Sequence, residues 1–259
     1  MFLRPLLFPL LGLVALLSSA RAIGYDERAT IDLTHALAAD GSVTISNVNG
    51  DIEIRTWDRA EIHIEGEKRA KSADDLSRIE ITQEFRPDHA EFKVKLPKKK
   101  SGWFGGGGTI DAQVDLVVTV PATADLASIR TVNGTLTVTG TTGRLNASTV
   151  NGRIEATDLA GDAVLKTVNG RVRADFTAVA PDADLTFETV NGGITLSLPR
   201  DTNAQVSSSV VNGHVETALP ITLNGRVSRK KLEGTFGNGG ARLKASTVNG
   251  SIEFLAHDS

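Results

Sequence analysis

Hydrophobic and polar residues alternate along most of this chain, and the alternation is organised around a repeated tripeptide. Val-Asn-Gly occurs seven times, and the four central intervals between its asparagines are 18, 18, 22 and 21 residues. Apolar residues recur six and four positions before the asparagines, from Val43 through Ala127 to Leu243 in the first of these columns, and again three and five positions after them, with Ser208 and Thr217 as the polar exceptions. A period of two predicts a β-strand with one inward face on either side of each tripeptide.

Two architectures fit this pattern. In an antiparallel meander each Asn-Gly would be a type I′ hairpin turn, whereas in a solenoid each repeat would be one coil, stacked about 4.8 Å from the next. Valine precedes all seven asparagines and threonine lies two positions before five of them, and in-register stacking is the arrangement that places like residues on like. The sequence therefore favours an all-β fold, a single-stranded β-solenoid (β-helix) of stacked coils of 18–22 residues. In that fold the repeated asparagines form a structural turn ladder, with members Asn49, Asn133, Asn151, Asn169, Asn191, Asn212 and Asn249.

Residues 57–121 interrupt the Val-Asn-Gly repeat pattern. Ser72–Asp75 has the form of a helix start, which predicts one short helix. Ile79–Phe85, Ala90–Leu96 and Ala112–Val120 alternate as strands do. We predict that this segment forms an irregular insert, an antiparallel flap near the N-terminal side of the solenoid.

A second irregular stretch covers residues 220–240, where the interval between asparagines lengthens to 37 residues and ends in a glycine-rich run. A terminal coil must present an end on which nothing stacks, so we interpret this stretch as associated with a cap. Residues 23–259 are accordingly predicted to form a single solenoid domain.

The first 22 residues are typical of a signal peptide. A cationic start at Arg4 precedes an apolar run of 13 residues, Pro5–Leu17, and Ala20-Arg21-Ala22 supplies the small residues that a signal peptidase requires. A helix of that length spans about 20 Å, which is short of the roughly 30 Å hydrocarbon layer that a membrane anchor must cross. We expect cleavage near Ala22 and an exported protein, periplasmic or associated with the cell envelope.

Composition narrows the function classes. The chain has no cysteine, only 12 aromatic residues and a net charge of −3, which becomes −5 after loss of Arg4 and Arg21 with the signal peptide. Disulfide scaffolds are therefore excluded, and a mildly acidic chain without a clustered cationic face is not expected to bind nucleic acid.

The motifs resemble those of the DUF4097 family of adhesin-like proteins. The resemblance lies in the repeated Thr-Val-Asn-Gly, in Asn-Gly-Asp-Ile-Glu-Ile-x-x-Trp-Asp at 49–58, in Val-Pro-x-x-x-x-Leu at 120–126 and in Leu-x-Gly-x-x-Gly-x-Gly-Gly at 232–240. It covers roughly residues 40–256, almost the whole mature chain. It implies a β-solenoid with a binding role and supplies no catalytic residues.

The sequence contains none of the common catalytic, cofactor or metal motifs. Its five histidines are scattered, and the turns lack the regular aspartates that calcium-binding β-rolls use, so we predict no catalytic residue, no cofactor and no metal site. Stacking is expected to gather Arg153, Glu155, Arg171 and Arg173 on one outward face. Polysaccharide-cleaving solenoids use carboxylates on such faces, but this cluster has a single carboxylate where a retaining glycosidase needs two.

One segment has a composition that the fold does not explain. Lys98, Lys99 and Lys100 are followed by Trp103 and Phe104 and then by four glycines. Adjacent aromatic residues behind three cations suit contact with a membrane interface or a partner, although the pair can also fold back over the edge of the flap.

The sequence thus favours an exported, non-catalytic envelope protein with a binding or scaffolding role. Its partner is unknown, and an envelope protein, a glycan or a membrane surface would each fit. The alternative is a polysaccharide-acting β-helix enzyme, a lyase or glycosidase of the envelope. The shortage of aromatic residues argues against that alternative, because a glycan groove is normally lined by several of them.

Overall fold

The computed structural model describes residues 27–96, 111–223 and 228–258, and these are almost entirely β-structure. One short helix within them, α1, spans Ala73–Ser77. The strands are β1 (Glu27–Ala36), β2 (Ser42–Ser46), β3 (Ile52–Trp57), β4 (Glu61–Ala70), β5 (Glu80–Arg86), β6 (His89–Lys95), β7 (Ala112–Pro121), β8 (Asp125–Arg130), β9 (Leu136–Thr139), β10 (Leu145–Ser148), β11 (Ile154–Leu159), β12 (Ala163–Lys166), β13 (Val172–Phe176), β14 (Asp184–Asn191), β15 (Ile194–Pro199), β16 (Ala204–Asn212), β17 (Val215–Thr217), β18 (Ile221–Leu223), β19 (Lys231–Phe236), β20 (Ala241–Asn249) and β21 (Ile252–His257).

The strands form two sheets that share one core. The ten-stranded sheet has the order β1-β4-β7-β3-β9-β11-β13-β15-β21-β17, and the eleven-stranded sheet has the order β18-β19-β16-β20-β14-β12-β10-β8-β2-β6-β5. A coil consists of one strand of the eleven-stranded sheet, the Asn-Gly corner and one strand of the ten-stranded sheet, and successive coils pair in parallel. The predicted all-β solenoid is therefore confirmed.

Parallel register explains the apolar columns in the sequence. Ile154 pairs with Leu136 on one side and Val172 on the other, and all three are buried. The column prediction is wrong at Ala127. A register shift between β8 and β10 places Leu126 beside Leu145, so that Leu126 is buried and Ala127 only half-buried.

Coil order differs from chain order at the C-terminal end of the stack. β20 and β21 lie between β14–β15 and β16–β17, so the last coil of the chain is inserted between two earlier ones. The sequence repeats show which residues stack but not this exchange, because each coil offers the same pairing surface to its neighbours.

The insert at 57–121 contains a coil of its own as well as the predicted flap. β6 pairs in parallel with β2, and β7 pairs in parallel with β3, so β6 and β7 form a coil that lacks Val-Asn-Gly. The antiparallel part consists of β5 on β6 and of β4 beyond β7, and β1, which precedes the insert in the chain, pairs with β4. The described residues thus contain eight coils, seven with the tripeptide and one without it.

Antiparallel strands close the stack at both ends. β1, β4 and β5 lie at the N-terminal end, and β19 and β18, from the irregular stretch at 220–240, pair beyond β16 at the other. Helix α1 begins as predicted, since the Oγ of Ser72 accepts a hydrogen bond of 3.1 Å from the backbone N–H of Asp75. In the described part of the chain, no helix has the length and apolar character needed to cross a membrane.

Candidate binding face at the Asn-Gly corner

The seven asparagines of the predicted turn ladder occupy one column. In stack order they are 49, 133, 151, 169, 191, 249 and 212, and from the second onwards each Nδ2 donates to the Oδ1 of the preceding asparagine at 2.7–2.8 Å. At the N-terminal end of the column the Nδ2 of Asn49 donates to the carbonyl oxygen of Ala112. The amides are therefore engaged with one another, and the column holds the corner together.

The threonine two positions before the asparagine makes a second ladder on the inner side of the corner. It is buried in five coils, and its Oγ1 donates to a glycine carbonyl of the adjacent coil at 2.9–3.1 Å. Thr167, for example, donates to Gly152. A buried hydroxyl needs such a partner, which explains why the position repeats as threonine.

The corner glycines are required by the close approach of neighbouring backbones. A Cβ placed on Gly152 would lie 1.9 Å from the carbonyl oxygen of Gly134, and the same contact recurs at Gly170 and Gly192. Such a distance is far inside van der Waals contact with rigid backbone, so no larger residue fits without moving a coil.

Six valines directly before the asparagines form an exposed apolar row, which we call the valine stripe. Their exposed fractions are 39–40% in five coils and 56% in the last. In stack order the members are Val132, Val150, Val168, Val190, Val248 and Val211. At about 4.8 Å per coil the stripe is about 24 Å long. A continuous exposed apolar row of this kind is characteristic of an interaction surface.

A groove of about 380 Å³ runs beside the first half of the valine stripe. Val132, Val150 and Val168 form one wall, while the small side chain of Ser148 leaves open space between Arg130 and Lys166 on the other. Most of the lining is apolar, and its two cations lie in coils that are two steps apart.

Four exposed cations flank this part of the stripe, and we call them the corner cations. Arg130 and Lys166 lie on the eleven-stranded side, and Arg153 and Arg171 lie on the ten-stranded side. Lys166 pairs with Glu188 at 2.9 Å and Arg153 with Glu155 at 3.0 Å. Among the described residues Arg130 and Arg171 have no ion-pair partner. Two uncompensated positive charges therefore remain beside the stripe of an otherwise acidic protein.

Two ion pairs on the outer face of the eleven-stranded sheet are satisfied between neighbouring coils. Arg144 forms two hydrogen bonds to Asp125, and Arg242 forms two to Asp184. The guanidinium of Arg242 lowers the pKa of the Asp184 carboxyl, and the hydrogen bond to Asp125 raises the pKa of Arg144. These exposed pairs link neighbouring strands and offer no unpaired group to a ligand.

The cluster of Arg153, Glu155, Arg171 and Arg173 is present on the ten-stranded face, where Glu155 and Arg173 are register partners on β11 and β13. It retains the single carboxylate noted in the sequence, which is insufficient for the two-carboxylate mechanism of glycosidases. In the part of the chain that the structure describes, no cluster of histidine, aspartate and glutamate could hold a metal ion.

The predicted contact residues Lys98, Lys99, Lys100, Trp103 and Phe104 lie outside the described residues. The described residues that flank this segment do locate its ends. β6 ends beside β2, and the carbonyl of Ala112 at the start of β7 accepts from Asn49. The described residues on both sides of the segment thus lie at the Asn-Gly corner, next to the coil of Asn49.

Sequence reasoning treated the valine before asparagine as a sign of stacking and missed its exposure. The alternation of inward and outward positions within each repeat contained the information that was needed. Positions six, four and two before the asparagine are buried in every coil, except at Ala127, so position one alternates with them in the same way as the outward positions five and three. An apolar residue kept at an outward position in seven copies is the feature that predicts the stripe.

A family model described as Toastrack DUF4097 matches residues 124–254, which is 131 of the 259 residues. No curated protein matches the chain. Among solved structures, a "putative cell adhesion protein" from Clostridium sporogenes has a TM-score of 0.53 at 12% identity, covering 88% of this chain and 100% of its own. At that identity the similarity shows a shared fold.

Two further crystal structures are similar at lower TM-scores. A "putative adhesin" from Bacteroides fragilis has a TM-score of 0.33 at 11% identity and covers 87% of this chain and 97% of its own. A "putative lipid binding protein" from Parabacteroides distasonis has a TM-score of 0.36 at 12% identity and covers 87% of this chain and 96% of its own.

Proposed function

The chain belongs to the Toastrack DUF4097 family, and from that premise we propose that it is an exported, non-catalytic protein of the cell envelope with a binding or scaffolding role. The observation that carries this proposal is the valine stripe, an apolar row left exposed on a corner whose other repeated residues are engaged in hydrogen bonds. Stacked coils hold the row straight and rigid, which suits a surface that binds without changing shape.

Export is tested by recovering the protein from the producing cell and sequencing its amino terminus. We expect a chain that begins at Ile23 in the periplasmic or surface fraction, because signal peptidase would cut after Ala22. An intact Met1 in the cytoplasmic fraction would contradict this part of the proposal.

Binding without catalysis is tested on envelope fractions and purified envelope glycans, scored for both retention and cleavage. We expect retention of the protein on envelope material and no new reducing ends in the glycans. Cleavage would favour the second candidate, a polysaccharide-acting enzyme, for which the cluster around Arg171 and Arg173 is the supporting observation.

The segment that carries Trp103 and Phe104 is proposed as a further contact. Replacing both with serine is expected to weaken retention on envelope fractions and leave the melting temperature unchanged, since the pair would contribute area to the partner and none to the core. If the pair instead covers the flap, the variant loses several degrees of thermal stability with retention intact.

A further inference from the structure

The Asn-Gly corner combines an apolar row with flanking cations, and this pairing indicates the chemistry of its partner. We infer that the valine stripe and the corner cations dock this protein onto an anionic lipid surface. The inference rests on the binding role proposed above and names the partner of that same face.

Charge supplies the first reason. The whole chain is acidic, with a net charge of −3, yet Arg130, Arg153, Lys166 and Arg171 surround three consecutive valines of the stripe. Only two carboxylates, Glu155 and Glu188, contact these cations among the residues that the structure describes. A local positive excess on an acidic protein steers that one face, rather than the whole molecule, towards an anionic surface.

Shape supplies the second reason. Parallel stacking places the six valines in one row along an edge of the molecule, one per coil, so a flat interface can contact neighbouring valines together. The flanking arginine and lysine side chains are long enough to reach headgroup phosphates while their aliphatic stems lie along the valines. The mostly apolar groove beside Val150 extends the area that acyl chains can contact.

A glycan is the less favoured partner of this face. Sugar recognition requires polar groups that pair with hydroxyls and aromatic rings that stack on the sugar, whereas the stripe offers valine side chains alone. The neighbouring Asn151 and Asn169 amides donate within their own ladder.

The test is sedimentation of the full mature protein with large vesicles of two compositions. One set is phosphatidylcholine alone, and in the other about a third of the lipid is phosphatidylglycerol, which provides the negative surface potential. We expect binding to the anionic vesicles, little binding to the neutral ones, and a decrease as salt shortens the screening length from about 10 Å at 0.1 M to about 3 Å at 1 M.

Two variants address the two parts of the face. Val132→Thr, Val150→Thr and Val168→Thr together keep side-chain shape and remove apolar contact, and should weaken vesicle binding by about tenfold. Arg130→Gln with Lys166→Gln should weaken it by about 25-fold, on the basis of about fivefold for each cation at an anionic surface.

Matched controls lie away from the corner. Val117→Thr with Val164→Thr changes outward, half-buried valines on β7 and β12, and Arg55→Gln with Lys244→Gln removes two cations from strand positions outside the corner. We expect both controls to bind as the unmodified protein does, and circular dichroism should show that every variant remains folded.

Three results would overturn the inference. These are absence of binding to anionic vesicles, equal losses in the corner variants and their controls, and tighter retention on a soluble anionic polysaccharide than on vesicles, which would make a glycan the partner. Retention on delipidated envelope material distinguishes a failure of the lipid inference from a failure of the proposed binding role. If it persists while vesicles fail, the lipid inference is wrong and the binding role stands, and if neither retains the protein, both are wrong.

Discussion

The two corners of each coil differ in how much their length varies from one coil to the next. At the Asn-Gly corner, seven coils repeat the same tripeptide without a change in length. At the opposite corner, where β11 leads to β12, the connection is short and uses Gly161, but the next coil replaces it with the longer stretch 177–183. The solenoid therefore tolerates variation at a corner. Packing explains the repeated glycine and asparagine, but it gives no reason for an exposed valine at six of the seven repeats.

Substitution of a crowded glycine at the Asn-Gly corner should give the largest loss in the free energy of unfolding. Gly152→Ala places a Cβ 1.9 Å from the carbonyl oxygen of Gly134, whereas at Gly193 the nearest atom would be 3.3 Å away. We expect the first substitution to destabilise the fold by about 3 kcal/mol or more and the second by less than about 1 kcal/mol, measured by urea denaturation. Equal losses would show that coil spacing at this corner is not set by the glycine.

The asparagine ladder should give the next largest effect. Asn151→Ala removes one donor and one acceptor from a run of 2.8 Å side-chain hydrogen bonds. The expected loss is about 1–2 kcal/mol in the free energy of unfolding, because the amides of Asn133 and Asn169 lose their partner. Asn146→Ala, on the outer face of β10, is the control and should change stability by less than about 0.5 kcal/mol.

The opposite corner should accept insertions that the Asn-Gly corner rejects. Four residues of glycine and serine placed between Ala160 and Gly161 imitate the longer connection at 177–183 and should cost about 1 kcal/mol or less, since loop closure depends weakly on length. The same insertion between Asn151 and Gly152 should prevent cooperative unfolding at the wild-type midpoint. Similar outcomes at the two sites would remove the distinction between the corners.

The valine stripe should give the smallest effect on stability. Val150→Thr is expected to change the free energy of unfolding by less than about 0.5 kcal/mol, because 40% of the side chain is exposed and threonine keeps its branched shape. A loss above about 1 kcal/mol would mean that the valine is repeated for stability, and the stripe would then no longer support a binding role.

The repeats alone were sufficient to predict the coil, its inward columns and the asparagine ladder, because stacking imposes the same environment on equivalent residues. They did not predict that β6 and β7 form a coil, since that coil lacks the tripeptide and its strands are separated by residues 97–110. They also did not predict the bulge that exchanges Leu126 for Ala127. The β6–β7 coil and the bulge each occur once in the described residues, so no sequence repeat indicates them.

The exchange of coil order has a consequence for how the molecule is completed during synthesis. Among the described strands, β16 and β17 pair in parallel only with β20 and β21, which lie later in the chain. A nascent chain that ends before Ala241 lacks the strand that lies between β14 and β16 in the folded protein. Truncation before Ala241 would thus remove one coil and deprive β16 and β17 of their parallel partners, so these two strands can reach their places in the stack only after β20 and β21 have been synthesised.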